Sequence, residues 1–463
     1  MKTKNNYHIR YWVLISGLLV SLASCKKFVE VPPPINQEVS SVVFKNDKSA
    51  TAAVLGLYSQ IMQGNESFLN GLFSVNGGLS ADELLSGRGG DDNLFEQNGL
   101  TAATGSIDSK FWAAPYTYLY QINLTIEQLN SSSGLSIAVK QQLLGETKFM
   151  RALCYFYLTN TFGDVPLETS SDYHLNQSLP RAASAKVYDQ ILADLHDAQV
   201  LLSPDYQGSG PVRPNKWCAT ALLARTYLYQ KKWAQADSAA TAVIGSGTYT
   251  LEPDLNSVFL ANSTEAILQF VPNQPTWNSS EGASFLGQGT STPEYTITPF
   301  LANAFEAGDL READWLTTLN VDGTDYRVPF KYKVGTTTNP PADEFNMVLR
   351  YAEQFLIRAE AKAQENDIPG AQADLNAIRQ RAGLGNTTAA DQASLLNAIL
   401  HERQVEFFAE WGHRWFDLKR TDKANAVLGA EKPTWPSDGH AALYPVPLNQ
   451  IKQNPFLTQN TGY

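Results

Sequence analysis

The chain has 463 residues, 43% hydrophobic and 17% charged, a globular composition long enough for a large core and two lobes. Its formal net charge is −11, and loss of Lys2, Lys4 and Arg10 with residues 1–24 would take it to about −14. So acidic a body excludes nucleic acid as a partner, because phosphates demand basic patches, and excludes electrostatic attachment to anionic lipid.

In chain order, Lys2, Lys4 and Arg10 precede the apolar run Tyr11–Ala23, which predicts a secretion signal over 1–24. That run is too short to span a bilayer as a mature helix. Leu22-Ala23-Ser24-Cys25 reads as a bacterial lipobox, so Cys25 is the expected lipidation site and several acyl chains the expected anchor. Lys26 stands where an inner-membrane retention signal would place Asp. Residues 25–46 then form the lipid anchor and a spacer stiffened by Pro32-Pro33-Pro34.

Asp47–Met62 is the first predicted helix, capped by Asp47 or Ser49, with Ala53, Leu57 and Ile61 on one face. Leu69–Gly105 is rich in Gly and Asp and reads as a long loop, the kind of segment that usually carries function. Helices over Ser106–Leu129, Ile137–Asn160, Ser184–Leu202, Asn215–Gln230 and Trp233–Ile244 complete an N-terminal helical part over 47–245. Cys154 and Cys218 fall inside these helices as small buried hydrophobes. With no Cys-x-x-Cys spacing there is no disulfide framework.

An irregular, loop-rich lobe over 246–347 follows. It has two strand candidates, Ile267–Val271 and Arg327–Lys333, and a short helix near Pro299–Phe305 with a helix end at Asp309–Arg311. The C-terminal region, 348–463, is helical again. Ala352, Phe355, Leu356, Ala359 and Ala363 share one face, Pro369 sits where the next helix begins, and Gly383 and Gly385 sit where it ends. Glu402, Glu406 and Glu410 line one face beside Arg403 and, past Gly412, Arg414. Such alternating charge predicts a paired, partly buried network that locates helices. The step from Ala224 to Ala236 equals that from Ala359 to Ala371, as in tetratricopeptide-like helix pairs separated by insertions. The predicted fold is therefore mainly α: a tetratricopeptide-like helical repeat scaffold with an irregular lobe containing short strands.

Catalytic motifs are missing. His401-Glu402 is not a zinc motif because position 405 is Val, and there is no Walker loop, Gly-x-Ser-x-Gly elbow or dinucleotide fingerprint. No cofactor and no metal are expected. Asp82-Glu83 and Asp91-Asp92 are the carboxylates a glycosidase reading would use. Asp91-Asp92-Asn93 lacks the spacing of a known calcium loop. For ligand binding the chain offers rings among polar loops: Trp277, Phe285 and Tyr295 amid Asn, Ser, Gln and Gly, the chemistry that holds a sugar by its C–H faces and hydroxyls.

Five features resemble the C-terminal region of the SusD/RagB family. They are the Arg350-Tyr351-Ala352-Glu353 helix, the Asn376–Gly383 segment, the Glu402–Arg420 block, the Pro445-Val446-Pro447 turn and the Gln459-Asn460-Thr461-Gly462-Tyr463 terminus. The resemblance implies a non-enzymatic surface lipoprotein of the outer membrane, facing outward. Such a protein binds an oligosaccharide or polysaccharide and delivers it to a SusC-like TonB-dependent transporter. Many members carry Asp-Glu followed by Arg-Gly in a loop before a Trp-containing helix, which matches Asp82-Glu83 and Arg88-Gly89 here. The loop continues through Asp92, Asn93, Phe95 and Asn98, with Phe95 where some glycan-binding members place Trp. The implied ligand face joins Arg88–Asn98 to Trp277–Tyr295 at one shallow surface. Rival readings are peptide capture of the RagB type, a lipid-anchored glycosidase and a tetratricopeptide scaffold.

Overall fold

A helix of 26 residues, Ile137–Phe162, runs through the centre of the computed structural model, which describes residues 43–273, 278–287, 291–335 and 342–463. The expected signal segment, Cys25, the expected spacer and Trp277 lie outside the described residues. Ser136 caps the central helix by accepting from the Val139 N–H, and Gly163 ends it. From Leu143 to Phe162 nearly every side chain is buried, so this helix is enclosed all round. It packs against Ser184–Leu201, Ala114–Ser131 and Asp47–Ile61. Its buried Arg151 meets Asp194 in a two-pronged pair at 2.8 and 2.6 Å. Asn46, one residue before the predicted cap, caps Asp47–Ile61 through the Ser49 N–H.

Two helical hairpins extend this layer. Lys216–Tyr229 with Trp233–Ile244 forms one, and Tyr351–Gln364 with Ile368–Arg381 the other. More than a hundred residues separate them in sequence, yet Trp233–Ile244 packs against Tyr351–Gln364 as well as its own partner. Small residues make this approach close: Ala224, Ala236 and Ala240 meet Ile357 and Ala361 in one minor core, and Ala359, Ala363 and Ala371 meet in the next. Arg225 bridges the hairpins to Glu353 at 2.7 and 2.6 Å, both groups buried. Pro369 and Gly383 stand at the start and just past the end of Ile368–Arg381, as expected.

Among the described residues the strands form four two-stranded antiparallel sheets. Ala266–Phe270 pairs with Asn346–Arg350, and Leu316–Val321 with Thr324–Pro329 through a turn in which Asp322 and Gly323 both take positive φ. The second strand lies upstream of the expected Arg327–Lys333 because it ends at Pro329.

Leu69–Gly105 is not one long loop. It contains a π-helical turn, Phe73–Gly77, a strand, Leu84–Ser86, and a helix, Asp91–Glu96. Elements this short show no periodicity in the sequence. The π-helical turn crosses the backbone of Gly412 so closely that a Cβ on Gly77 would lie 2.6 Å from the Gly412 Cα. Gly412, with φ +66°, opens the His413–Arg420 helix.

The acid-rich face of Gln392–Phe407 is the centre of a buried ion network. Glu406 receives Arg350 at 2.5 Å, Arg311 at 2.9 Å and Arg381. Arg350 also binds Glu410 at 2.9 Å, and Arg311 binds Asp309 at 2.8 Å and Glu402 at 2.7 Å. Burial opposes ionisation of Glu406, but Arg381, Arg350 and Arg311 outweigh it and hold its carboxyl well below the usual range. Arg311 begins the short helix Leu310–Trp315, Arg350 ends a strand and Arg381 ends a helix. The network therefore fastens the 246–347 segment to the C-terminal helices.

Candidate functional site

Arg88 lies just beyond the strand Leu84–Ser86, and that strand pairs antiparallel with Tyr295–Ile297, Ser86 opposite Tyr295. The Gly87 N–H donates to the Glu294 carbonyl at 2.8 Å. Gly89 and Gly90, with φ +80° and +64°, then turn the chain into Asp91–Glu96, a reversal that side chains with a Cβ would strain. Pairing of these two strands joins the Arg88 stretch to the lobe of Tyr295.

The junction is a polar knot around Glu66. The Arg88 guanidinium donates to the Glu66 carboxylate at 3.2 Å and to the Tyr295 hydroxyl oxygen at 3.1 Å. That hydroxyl in turn donates to Asp92 Oδ2 at 2.9 Å. Lys110 Nζ and Ser284 Oγ each donate to Glu66 at 3.2 Å. Glu66 is buried and Asp92 mostly so, whereas the side chains of Arg88, Lys110 and Glu294 are 46%, 41% and 52% exposed. Burial raises the Asp92 carboxyl above its ordinary value, against the hydrogen bond from Tyr295. The Tyr295 phenol is pushed up by burial and by Glu66 and Asp92, so it stays a neutral donor.

Beside the knot lies an open cleft of about 370 Å³, within the range of small-ligand sites. Asn65, Glu66, Arg88, Lys110, Ser284 and Glu294 give it polar walls, and no aromatic ring lines it among the described residues. Two cations and two acids line it, with the cations tied to Glu66. The arrangement suits a neutral ligand rich in hydroxyls, which takes donors from Arg88 and Lys110 and acceptors from Glu294 and Asn65.

The structure distributes the expected site residues unevenly. Arg88 is at the cleft and Asp92 one hydrogen bond behind it; Asn93 is half-buried in Asp91–Glu96 and does not line the cleft. Asn98 is buried and donates to the Ser80 carbonyl at 3.0 Å, a structural bond. Phe95 offers no stacking face: it is fully buried, 5.4 Å from the Phe111 ring and 5.5 Å from Tyr444. Phe285 and Tyr295 are buried edge to face at 6.2 Å, so Tyr295 serves the site through its hydroxyl and its ring packs the lobe. Trp277 lies outside the described residues.

Asp82 and Glu83 belong to the scaffold. Asp82 is buried and gripped by Arg414 at 2.8 and 2.7 Å. Burial, then the charge of Asp82, pushes the Glu83 carboxyl up to about 8. Glu66, Lys110, Ser284 and Glu294 were not legible as site residues. Glu66 meets partners 22, 44 and 218 positions away, a closeness no local pattern encodes.

The described parts of 320–463 hold the last strands of the irregular lobe, the C-terminal helices and the tail. A family model described as "SusD family" matches residues 320–463, and one described as "Starch-binding associating with outer membrane" matches 91–228. "SusD-like protein P2" of Formosa agariphila is 28% identical, covering 98% of this chain and 100% of its own length. "Starch-binding protein SusD" of Bacteroides thetaiotaomicron is 24% identical, with both chains covered in full. Among solved structures, a SusD superfamily protein from Bacteroides vulgatus superposes with a TM-score of 0.81 at 19% identity, covering 90% of this chain and 99% of its own. That likeness accounts for the mainly helical architecture with minor β elements. With both ends of the body matched and relatives aligned along their full length, the chain belongs to the SusD/RagB family of outer-membrane nutrient-binding proteins.

Proposed function

We propose that the chain is a surface lipoprotein that captures a neutral glycan in the cleft of Arg88, Glu66, Lys110 and Glu294 and hands it to a SusC-like TonB-dependent transporter. One observation carries the placement: two polar stretches about 200 positions apart, reading as ligand-binding, meet through Arg88–Tyr295 and Tyr295–Asp92 hydrogen bonds at the edge of an open cleft. The ligand class draws on the starch-binding relative and on the matched model for starch binding at the outer membrane. Asp92, Asn93 and Asn98 support the loop from behind, and a stacking ring, if one serves the site, is Trp277. Phe95 and Phe285 are left out because both are core rings.

Members of this family bind rather than catalyse. Asp82, buried beneath Arg414, and buried Glu83 are withdrawn from the glycosidase reading, and its other pair, Asp91 and Asp92, accepts from the Ser106 N–H and the Tyr295 hydroxyl at 2.8 and 2.9 Å. The two alanine-rich hairpins are read as tetratricopeptide-like units that carry the irregular 246–347 lobe, and the anchor is assigned to Cys25.

The test is calorimetric titration of the intact ectodomain with maltoheptaose, laminarihexaose, cellohexaose, xylohexaose and mannohexaose. At least one should bind saturably, and Arg88→Ala should weaken it by about 1–3 kcal/mol through lost hydrogen bonds, with a native circular dichroism spectrum as the folding control because buried Glu66 also loses a partner. Wild-type affinity in Arg88→Ala would place the ligand elsewhere.

A further inference from the structure

A second cleft, of about 340 Å³, shares no lining residue with the first. Both clefts nevertheless draw on one π-helical segment, Ile107–Ala113: Lys110 lines the first, Trp112 and Ala113 the second. π-Helical turns are frequent at functional sites. The remaining walls come from Tyr116 on the helix Ala114–Ser131, from the segment after the central helix and from the C-terminal tail.

The lining chemistry is specific. Glu168 is the only ionisable carboxylate in it, and neither Lys, Arg nor His lines it among the described residues. No described cation or hydrogen-bond donor attends the Glu168 carboxyl, and burial alone pushes it up to about 7. Around it stand the carboxamides of Asn176, Gln177, Gln450, Gln453 and Asn454. Gln450 and Asn454 are held in place by Asp108 and the Leu179 carbonyl, each at 2.8 Å. Gln453 and Gln177 are exposed, and Gln177 makes only a 3.5 Å contact to the His174 carbonyl. The Tyr116 hydroxyl is engaged by the Pro166 carbonyl at 2.9 Å, which fixes its ring at the wall.

We propose that this cleft is a second saccharide-binding site, taking a neutral sugar unit whose hydroxyls donate to the Glu168 carboxylate and accept from the Gln453 and Gln177 amides. A half-buried carboxyl without a cation needs donors, and amides supply matched donor and acceptor pairs that hydroxyls satisfy. The absence of any basic group from the lining, among the described residues, disfavours an anionic ligand. Trp112 and Tyr116 add apolar wall for C–H faces. For its ligand class this inference rests on the glycan reading proposed above.

Calorimetry with the same five oligosaccharides separates the two. With the tightest of them, the wild type should take two molecules per chain. Glu168→Ala and Gln453→Ala should each weaken one event by roughly tenfold or more and leave the other unchanged. Arg88→Ala should do the converse, with unchanged melting in Glu168→Ala and Gln453→Ala and a native circular dichroism spectrum in all three. Glu168 has no described partner to orphan, so its removal leaves the fold intact. One event, lost in Arg88→Ala and untouched by Glu168→Ala, overturns the second site and leaves the first standing. One event sensitive to Glu168→Ala alone upholds the second and removes the first. No binding to any of the five overturns both.

Discussion

Replacing Glu406 by Gln removes the charge on which three guanidinium groups converge. Arg350 and Arg311 lie 2.5 and 2.9 Å from its carboxylate, Arg381 is in contact, and all four side chains are buried. The carboxamide places an NH₂ against a guanidinium and leaves buried positive charge uncompensated, a change that costs about 3–5 kcal/mol. Unfolding entropy of about 2.1 cal/mol/K per residue over roughly 400 ordered residues gives about 0.85 kcal/mol/K, so the melting temperature should fall by about 4–6 °C. Scanning calorimetry at neutral pH reads this directly. The pH dependence has a definite sign. The folded Glu406 carboxyl titrates well below its unfolded value of about 4.3, so its stabilisation is complete above that value and is lost as pH falls through the folded one. The gap between wild type and Glu406→Gln should therefore narrow as the solution is acidified below about pH 4. Glycan affinity should not change, because Glu406 lines neither cleft. Melting within about 1 °C of wild type, or a gap that widens in acid, would refute the claim that this network fastens the lobe.

Three further outcomes follow from the same geometry. Arg414→Ala leaves Asp82 buried without its partner and should cost about 3–5 kcal/mol by calorimetry while glycan binding persists; normal melting with lost binding would move Arg414 into the site. Gly77→Ala drives a Cβ to 2.6 Å from the Gly412 backbone and should lower stability by about 1–3 kcal/mol in denaturant titration, and an unchanged midpoint would contradict that crossing. Cys25→Ser should move the protein from the membrane fraction to the soluble one, and full membrane retention would refute the anchor assignment.

The long helices were legible because their apolar spacing, Pro369 and Gly383 are local signals. Trp233–Ile244 matches its expected bounds, and the central helix extends only two residues past them. The charged block was legible as a network because glutamates four apart beside arginines cannot all be solvated on a packed helix, although that helix ends at Phe407 and Glu410 joins the network from beyond it. Its partners Arg311, Arg350 and Arg381 were not, since they arrive from three other elements. At the candidate site, a shared lack of periodicity, shared polar character and the family resemblance put Arg88 and Tyr295 on one expected face, and the two side chains are hydrogen-bonded at 3.1 Å. The rings misled for a physical reason. Phe95 sits in a six-residue helix and Phe285 in one of seven, too short to reveal which side is buried. Sequence shows that a ring is present, and burial depends on chain brought from elsewhere, such as Tyr444 against Phe95.

A crystal structure of the ectodomain soaked with the tightest of the five oligosaccharides tests the central claim most directly. The account predicts sugar hydroxyls within hydrogen-bond distance of Arg88 and Lys110, with Glu294 accepting, in the cleft beside Tyr295. Sugar bound with that cleft unoccupied and Arg88 still tied only to Glu66 and Tyr295 would contradict it.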